Sequence, residues 1–182
     1  MKVAIVVGSL RRNSYSSMVA NALAGLSPKL ECDILTVGDL PLYNQDLDTD
    51  APPKQWADFR ARIRAVDAVI FVTPEYNRSV PGGLKNAIDV GSRPYGHSVW
   101  SKKPAGVVSQ SPGALSGFGA NHHLRQSLVF LDMPAMQQPE AYVGNVAKSF
   151  DEAGKLTSDE LRGFLKKFME AFAAWADKAR VG

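Results

Sequence analysis

Short apolar runs alternate with helical patterns along the chain. The runs are Val3–Val7, Cys32–Val37, Ala68–Thr73 and Lys103–Ser109, with a weaker one at Ala135–Gln138. Uninterrupted runs rich in valine and isoleucine are typical of strands covered on both faces, as in a parallel sheet. Five such strands alternating with helices predict a doubly wound α/β sandwich with right-handed crossovers.

Apolar residues at helical spacing mark the segments between these runs. The predicted helices cover about residues 14–26, the region of Trp56 to Ile63, the segment opened by Pro81, the region of Leu124 to Leu131, and a last helix from Leu161. The last helix carries an aromatic stripe, which we interpret as core packing against the sheet. Residues 157–160 before it, Thr-Ser-Asp-Glu, are typical of a capping box.

Composition narrows the class of protein. The chain has 182 residues, 45% of them hydrophobic, and we expect residues 1–182 to form one domain. A net charge of +3, spread along the chain, is too weak to indicate a nucleic-acid protein. The single cysteine, Cys32, excludes an internal disulfide and thiolate clusters, and the three histidines lack metal-binding spacing, so no metal site is expected. No apolar run reaches membrane-spanning length, and we expect a cytoplasmic protein.

Three loops are the places to look for chemistry, because ligands of open parallel sheets bind beyond the carboxyl ends of the strands. They cover residues 8–17, 74–80 and 110–119. In the first loop a strand leads through a serine-rich turn with Arg11 into a helix. Free amides and the positive end of the helix dipole suit a phosphate there. The alternative is a serine-rich helix cap with solvated arginines.

The other two loops suit a planar ring. Tyr76 offers a flat face and Asn77 has both a donor and an acceptor, although a surface turn is the alternative. The glycine-rich third loop could present backbone amides to ring carbonyls, the alternative being a flexible loop. Together the loops predict a mononucleotide site for a planar aromatic cofactor.

Two motifs resemble a known family. Gly8-Ser9-Leu10-Arg11 with Ser14, and the segment of residues 73–89, TPEYNRSVPGGLKNAID, closely resemble the NADPH-dependent FMN reductases, and most nearly the bacterial quinone and chromate reductases. The likeness runs from about residue 2 to residue 175. It implies a flavodoxin-like three-layer α/β/α sandwich with strand order 2-1-3-4-5. It also implies noncovalent FMN, NADPH or NADH as co-substrate, and a homodimer or homotetramer.

The resemblance also implies the site residues. It places Ser9, Arg11, Ser14 and Ser16 around the phosphate, Pro74, Glu75, Tyr76 and Asn77 along the ring edge, and Ser111 and Gly113 near the pyrimidine end. Arg78 stands where many relatives carry an aromatic residue. We interpret it as a candidate for binding the nicotinamide co-substrate, with surface solvation as the alternative. No side chain is predicted to be catalytic, because the cofactor supplies the redox chemistry.

The resulting hypothesis is an FMN-dependent NAD(P)H oxidoreductase. Hydride would pass through N5 of the flavin by a ping-pong mechanism to a quinone, an azo dye, chromate or free flavin. One alternative is a flavodoxin-type electron carrier without an NAD(P)H site, although the chain lacks the Thr/Ser-x-Thr-Gly-x-Thr loop of such carriers. Another is a flavin-free regulatory or hydrolytic domain, although no G-x-S-x-G motif occurs.

Overall fold

Five parallel strands form the centre of the computed structural model, which describes residues 1–180. They are β1 (Lys2–Val7), β2 (Glu31–Thr36), β3 (Ala68–Pro74), β4 (Ala105–Gln110) and β5 (Ala141–Val143). The sheet order β2-β1-β3-β4-β5 confirms the predicted flavodoxin-like topology. The last two residues of the range predicted as one domain, 181 and 182, lie outside the described residues.

Five helices cover the two faces of the sheet. They are α1 (Tyr15–Leu26), α2 (Lys54–Arg64), α3 (Gly82–Gly91), α4 (Phe118–Phe130) and α5 (Asp159–Ala179). Helices α1 and α5 pack on one apolar cluster, while α2, α3 and α4 pack on a second cluster across the sheet. Alternation along β1 supplies both: Ala4 and Val6 face one cluster, and Val3, Ile5 and Val7 face the other.

The predicted fifth strand is wrong in position. Residues 135–138 do not form a strand: Ala135 makes one isolated bridge with Ala105, and β5 follows at Ala141–Val143. Pro139 lacks an amide hydrogen and so cannot donate to a sheet ladder, and regular pairing begins only after it, where Ala141 lies opposite Val108. The observed strand has only three residues, too few for its alternation to be recognised.

The helix starts agree with the sequence, with one correction. The hydroxyl Oγ of Ser14 accepts from the amide of Ser17 and caps α1. For α5 the capping residue is Ser158, whose Oγ accepts from Leu161 N at 3.2 Å. A leucine therefore stands where a capping box needs glutamate, and the reciprocal half of the predicted box is missing. The aromatic stripe of α5 does pack into the core, with Phe168 and Phe172 buried.

Within residues 1–180, no helix combines the length and the apolar character that a membrane crossing requires.

Candidate functional site

The sheet brings the three predicted loops to one edge. Val7 lies opposite Val72, and Pro74 opposite Gln110, so β1, β3 and β4 end side by side. The amide of Gly8, just past β1, donates to the carbonyl of Val72 at 2.8 Å. The loops that follow these strands therefore surround one region of the surface.

The first loop forms the start of α1. Ser9, Ser14 and Ser16 are buried and Arg11 is exposed. The hydroxyl of Ser14 takes up one free amide of the first helical turn, and Ser9 Oγ accepts weakly from Arg11 N at 3.4 Å. The remaining first-turn amides have no partner within the helix, and the helix dipole makes this end positive. The arrangement suits an anion bound mainly by backbone amides, with Arg11 free to close over it.

The second loop is a tight hairpin. Tyr76 and Ser79 exchange both backbone hydrogen bonds at 2.9 Å. Asn77 and Arg78 form its tip, with φ of +52° and +63°, which is the pattern of a type I′ turn. Tyr76 is about half exposed, at 49%, so one ring face is available to a ligand.

Helix α4 holds this hairpin in place. The carboxylate of Glu75 accepts from the amide of Ala120 at 3.1 Å, in the first turn of α4, where the helix dipole favours negative charge. Ser79 Oγ lies 2.6 Å from Nδ1 of His123. A side chain at Gly119 would place its Cβ 3.0 Å from the carbonyl oxygen of Arg78, so glycine permits this close approach. The hairpin and the start of α4 are therefore one packed unit.

Arg78 forms one ion pair within the hairpin. Its guanidinium pairs with Glu75 at 3.0 Å, yet its side chain remains 71% exposed. The same Glu75 thus bonds both to the helix amide and to Arg78. Arg78 is positioned by one carboxylate oxygen while most of its donor groups face outward.

The third loop is connected to the first by a buried hydrogen bond. The side-chain amide of Gln110, at the end of β4, donates from Nε2 to Ser16 Oγ at 2.9 Å. Gln110 is only 3% exposed, and its Oε1 has no hydrogen-bond partner within the described chain. Ser111 Oγ accepts from the amide of Gly113 at 3.1 Å, so the loop turns at its first residues.

These features fit a flavin mononucleotide. A buried acceptor without a partner costs about 1–3 kcal/mol, and such atoms in native proteins need an explanation. Gln110 Oε1 is such an atom, and the free amides at the start of α1 and the half-exposed ring of Tyr76 are two further features without a partner in the folded chain. A ligand with a phosphate, hydroxyl donors and a planar ring satisfies all three.

An aromatic cluster lies next to the hairpin and the start of α4. Phe118, half exposed, packs 4.2 Å from His122 between ring centroids, and His122 Nε2 lies 2.9 Å from the hydroxyl of Tyr142. Tyr142 donates to Glu140 at 2.8 Å. Burial, followed by the hydrogen bond and charge of Glu140, raises the pKa of Tyr142 to about 12. The tyrosine is therefore a neutral donor at physiological pH.

Two functional features were missed by reading the sequence. The sequence predicts a loop that begins at Gln110 but no role for its side chain, and the contact between His123 and Ser79 joins residues 44 apart. A polar residue ending an apolar run was the available signal for Gln110. No local pattern indicates the second contact.

A separate concavity of about 540 Å³ lies between β5 and the start of α5, lined among others by Tyr142, Asn145 and Lys148. None of the residues predicted for the cofactor line it. In residues 1–180, no group of three or more His, Cys, Asp or Glu side chains is placed to hold a metal ion.

Comparison with known proteins gives consistent matches. The chain is 63% identical over 174 residues to a quinone reductase of Pseudomonas putida, covering 95% of this chain and 93% of that protein. It is 44% identical to a 2-hydroxy-1,4-benzoquinone reductase of a Burkholderia species, over 100% of this chain and 99% of that protein. The solved structure of FerB, a flavoenzyme NAD(P)H:(acceptor) oxidoreductase from Paracoccus denitrificans, superposes with a TM-score of 0.90 at 41% identity, covering 98% of each chain.

The family model for NADPH-dependent FMN reductases matches residues 1–148. This range includes all three loops and every site residue that the sequence predicted. It ends before α5, which belongs to the sheet packing and not to the site. The chain is thus an oxidoreductase with FMN and NAD(P)H as its cofactors, and it belongs to the NADPH-dependent FMN reductase family.

Proposed function

We propose that this enzyme is an NAD(P)H-dependent quinone reductase that binds FMN at the joined ends of β1, β3 and β4. The observation that carries the proposal is the meeting of three loops, linked by the Gln110–Ser16 and Glu75–Ala120 hydrogen bonds, at one strand edge. The names of the relatives supply the substrate class, since two of them are quinone reductases.

The family resemblance indicates which residues of these loops would hold FMN. The start of α1, with Ser9, Ser14 and Arg11, would bind the phosphate, while buried Ser16 would act through Gln110. Pro74, Glu75, Tyr76 and Asn77 would flank the ring, and Ser111 with Gly113 would bind its pyrimidine end. When bound at these residues, FMN would supply the hydride-transfer chemistry between NAD(P)H and the acceptor.

The protein itself would position the flavin and the co-substrate and stabilise the charge that develops on the ring. The amide of Tyr76 already donates to the carbonyl of Ser79, whereas the amide of Asn77 at the hairpin tip makes no hydrogen bond within residues 1–180. The Asn77 amide would therefore be a preorganised donor for negative charge that develops on the ring. Most of the Arg78 guanidinium faces outward, which suits contact with a phosphate of the co-substrate. An open site edge of this kind accommodates quinones, and azo dyes, chromate and free flavin remain candidate acceptors of the same site.

An anaerobic half-reaction tests the proposal. Protein reconstituted with FMN should lose its yellow absorbance on addition of NADPH or NADH without any acceptor, and regain it on addition of benzoquinone. Steady-state rates at several fixed quinone concentrations should then give parallel double-reciprocal lines, as in a ping-pong mechanism. A flavin that stays oxidised with both nicotinamides would identify an electron carrier instead.

Self-association is also part of the proposal. Four apolar side chains on or just before α4 are more than half exposed: Leu115, Phe118, Val129 and Phe130. Exposed apolar patches in otherwise polar surfaces mark interaction sites, and a second copy of this chain is the proposed partner. Light scattering should give a dimer or a tetramer, and Phe130→Lys should shift it toward the monomer; a wild-type protein that is monomeric would refute this.

A further inference from the structure

Gln110 has a side-chain oxygen that the folded chain leaves without a partner. Its side chain is 3% exposed, and Nε2 is fixed by the 2.9 Å hydrogen bond to Ser16, in the first turn of α1. Within residues 1–180, Oε1 of Gln110 is the buried side-chain oxygen or nitrogen for which no hydrogen bond is formed. Because a buried acceptor has lost its water without replacement, a donor that reaches this atom would recover that cost.

The chemistry of the proposed cofactor limits which of its groups can donate a hydrogen bond to Gln110 Oε1. This step rests on the proposed function. The phosphate of FMN is an acceptor at neutral pH and cannot satisfy an amide oxygen. The ring has a single N–H donor, which the third loop at Ser111 and Gly113 is proposed to bind. The ribityl chain between phosphate and ring carries three hydroxyl donors.

The position of Gln110 agrees with that middle segment. It ends β4, opposite Pro74, where the ring-binding loop begins. Its amide end is bonded to the first turn of α1, where the phosphate is proposed to bind. Gln110 thus connects the two ends of the proposed site. We infer that Gln110 binds the ribityl chain of the cofactor. Its Oε1 would accept a hydrogen bond from a ribityl hydroxyl, and Ser16 would hold the side-chain amide in that orientation.

Flavin binding to the apoprotein tests this inference independently of turnover. Titrations followed by flavin fluorescence would compare FMN, riboflavin and lumiflavin, which lacks the polyol. Gln110→Met keeps the length of the side chain and removes the acceptor together with the Nε2 bond that orients it on Ser16. FMN and riboflavin should therefore bind about 3- to 10-fold more weakly while lumiflavin is unaffected. Gln55→Met, at an exposed glutamine of α2, is the matched control and should leave all three affinities unchanged.

Any other pattern of flavin affinities in Gln110→Met would overturn the inference. Equal weakening of lumiflavin would place the contact on the ring, and weakening of FMN without riboflavin would place it on the phosphate. Unchanged affinities would mean that Oε1 holds only a buried water. Failure of the wild-type apoprotein to bind FMN at all would refute the proposed function instead.

Two measurements keep the test valid if the variant is perturbed. Thermal unfolding of apo Gln110→Met should occur within about 3 °C of the wild-type midpoint, because removal of the unsatisfied acceptor offsets loss of the Nε2–Ser16 hydrogen bond. A larger drop would show that the side chain acts mainly through Ser16 and would overturn the inference. Wild-type protein titrated with 2′-, 3′- and 4′-deoxy-FMN should bind one analogue about 3- to 10-fold more weakly than the other two. No difference among the three would refute the hydroxyl contact without any mutation.

Discussion

Asn77 and Arg78 hold an uncommon backbone conformation for residues with side chains. Both have positive φ, and a type I′ turn favours asparagine followed by glycine at these two positions. Asparagine tolerates the left-handed region because its short side chain bonds locally, whereas arginine gains no such compensation. The surroundings therefore impose this conformation, through the contacts of Glu75 and Ser79 with α4.

Arg78→Gly should stabilise the protein. Relief of the left-handed strain at about 1–2 kcal/mol outweighs the added chain entropy of glycine, about 0.5–1 kcal/mol. Loss of the ion pair with Glu75 offsets only part of this gain, because the arginine side chain is 71% exposed, although that of Glu75 is 12% exposed. We expect the free energy of unfolding of the apoprotein in urea to rise by about 0.5–1 kcal/mol.

Arg78→Ala separates the two effects. It keeps the strained Cβ and removes the guanidinium, so its free energy of unfolding should stay within about 0.5 kcal/mol of the wild type. A glycine variant less stable than the alanine variant would show that the turn is not strained at Arg78.

Helix α3 connects the hairpin to the core, and its last residue depends on a close approach. Trp100 is fully buried and donates from Nε1 to the carbonyl of Ile88 at 3.0 Å. It also packs edge-on to Phe59, with ring centroids 5.8 Å apart. A Cβ added at Gly91 would lie 2.5 Å from Cε2 of this indole. The indole therefore fixes the end of α3 only because residue 91 has no side chain.

Gly91→Ala should lower the free energy of unfolding by about 1–3 kcal/mol, the usual cost of overpacking a core. Gly163→Ala in α5 is the matched control, since a Cβ there meets no atom within 4 Å. It should raise stability by about 0.5–1 kcal/mol through helix propensity. Denaturant unfolding of both variants measures this, and a change of the same sign in both would contradict the packing argument.

A double-mutant cycle with Trp100→Phe tests whether the indole is what makes Gly91→Ala destabilising. Because the smaller ring relieves the contact, Gly91→Ala should cost at least about 1 kcal/mol less in that background. Additive effects would mean that the indole is not what limits residue 91.

Sequence patterns predict the structure best where a single strand or helix carries its own apolar pattern and start signals. Unbroken apolar runs and helix start signals predict the first four strands and the helices, because strands such as β1 and β3 are buried on both faces. The fifth strand failed because three residues carry too little alternation. At the site, the motifs indicated the loops, but not the Gln110–Ser16 or His123–Ser79 contacts. Those depend on strand order and helix packing, which bring distant residues together.

The sheet unites the two sides of the molecule. Its inner strands contribute alternate residues to both apolar clusters, so neither helical layer has a core of its own. Two tryptophans, Trp56 and Trp100, are buried in one cluster, and Trp175 of α5 packs against the other. Since both layers rest on the same strands, residues 1–182 should behave as one cooperative unit.

Fluorescence from one side, compared with circular dichroism from the whole chain, tests this cooperativity. In Trp175→Phe the emission reports only the cluster that contains Trp56 and Trp100, while far-UV circular dichroism reports all helices, including the 21 residues of α5. The two unfolding curves in urea should have the same midpoint. A separate early transition in circular dichroism alone would show that the α1/α5 layer unfolds first.

Ligand binding should act on the whole unit as well. The proposed site joins β1, β3 and β4, so FMN at 100 times its dissociation constant should add about 2.7 kcal/mol to the free energy of unfolding by both probes equally. Lumiflavin at the same molar concentration is the control, and it should add less because it lacks the phosphate and polyol that α1 and Gln110 would bind. A shift in fluorescence without one in circular dichroism would mean that the flavin stabilises only the α2–α4 side, and that the loops are not coupled through the sheet.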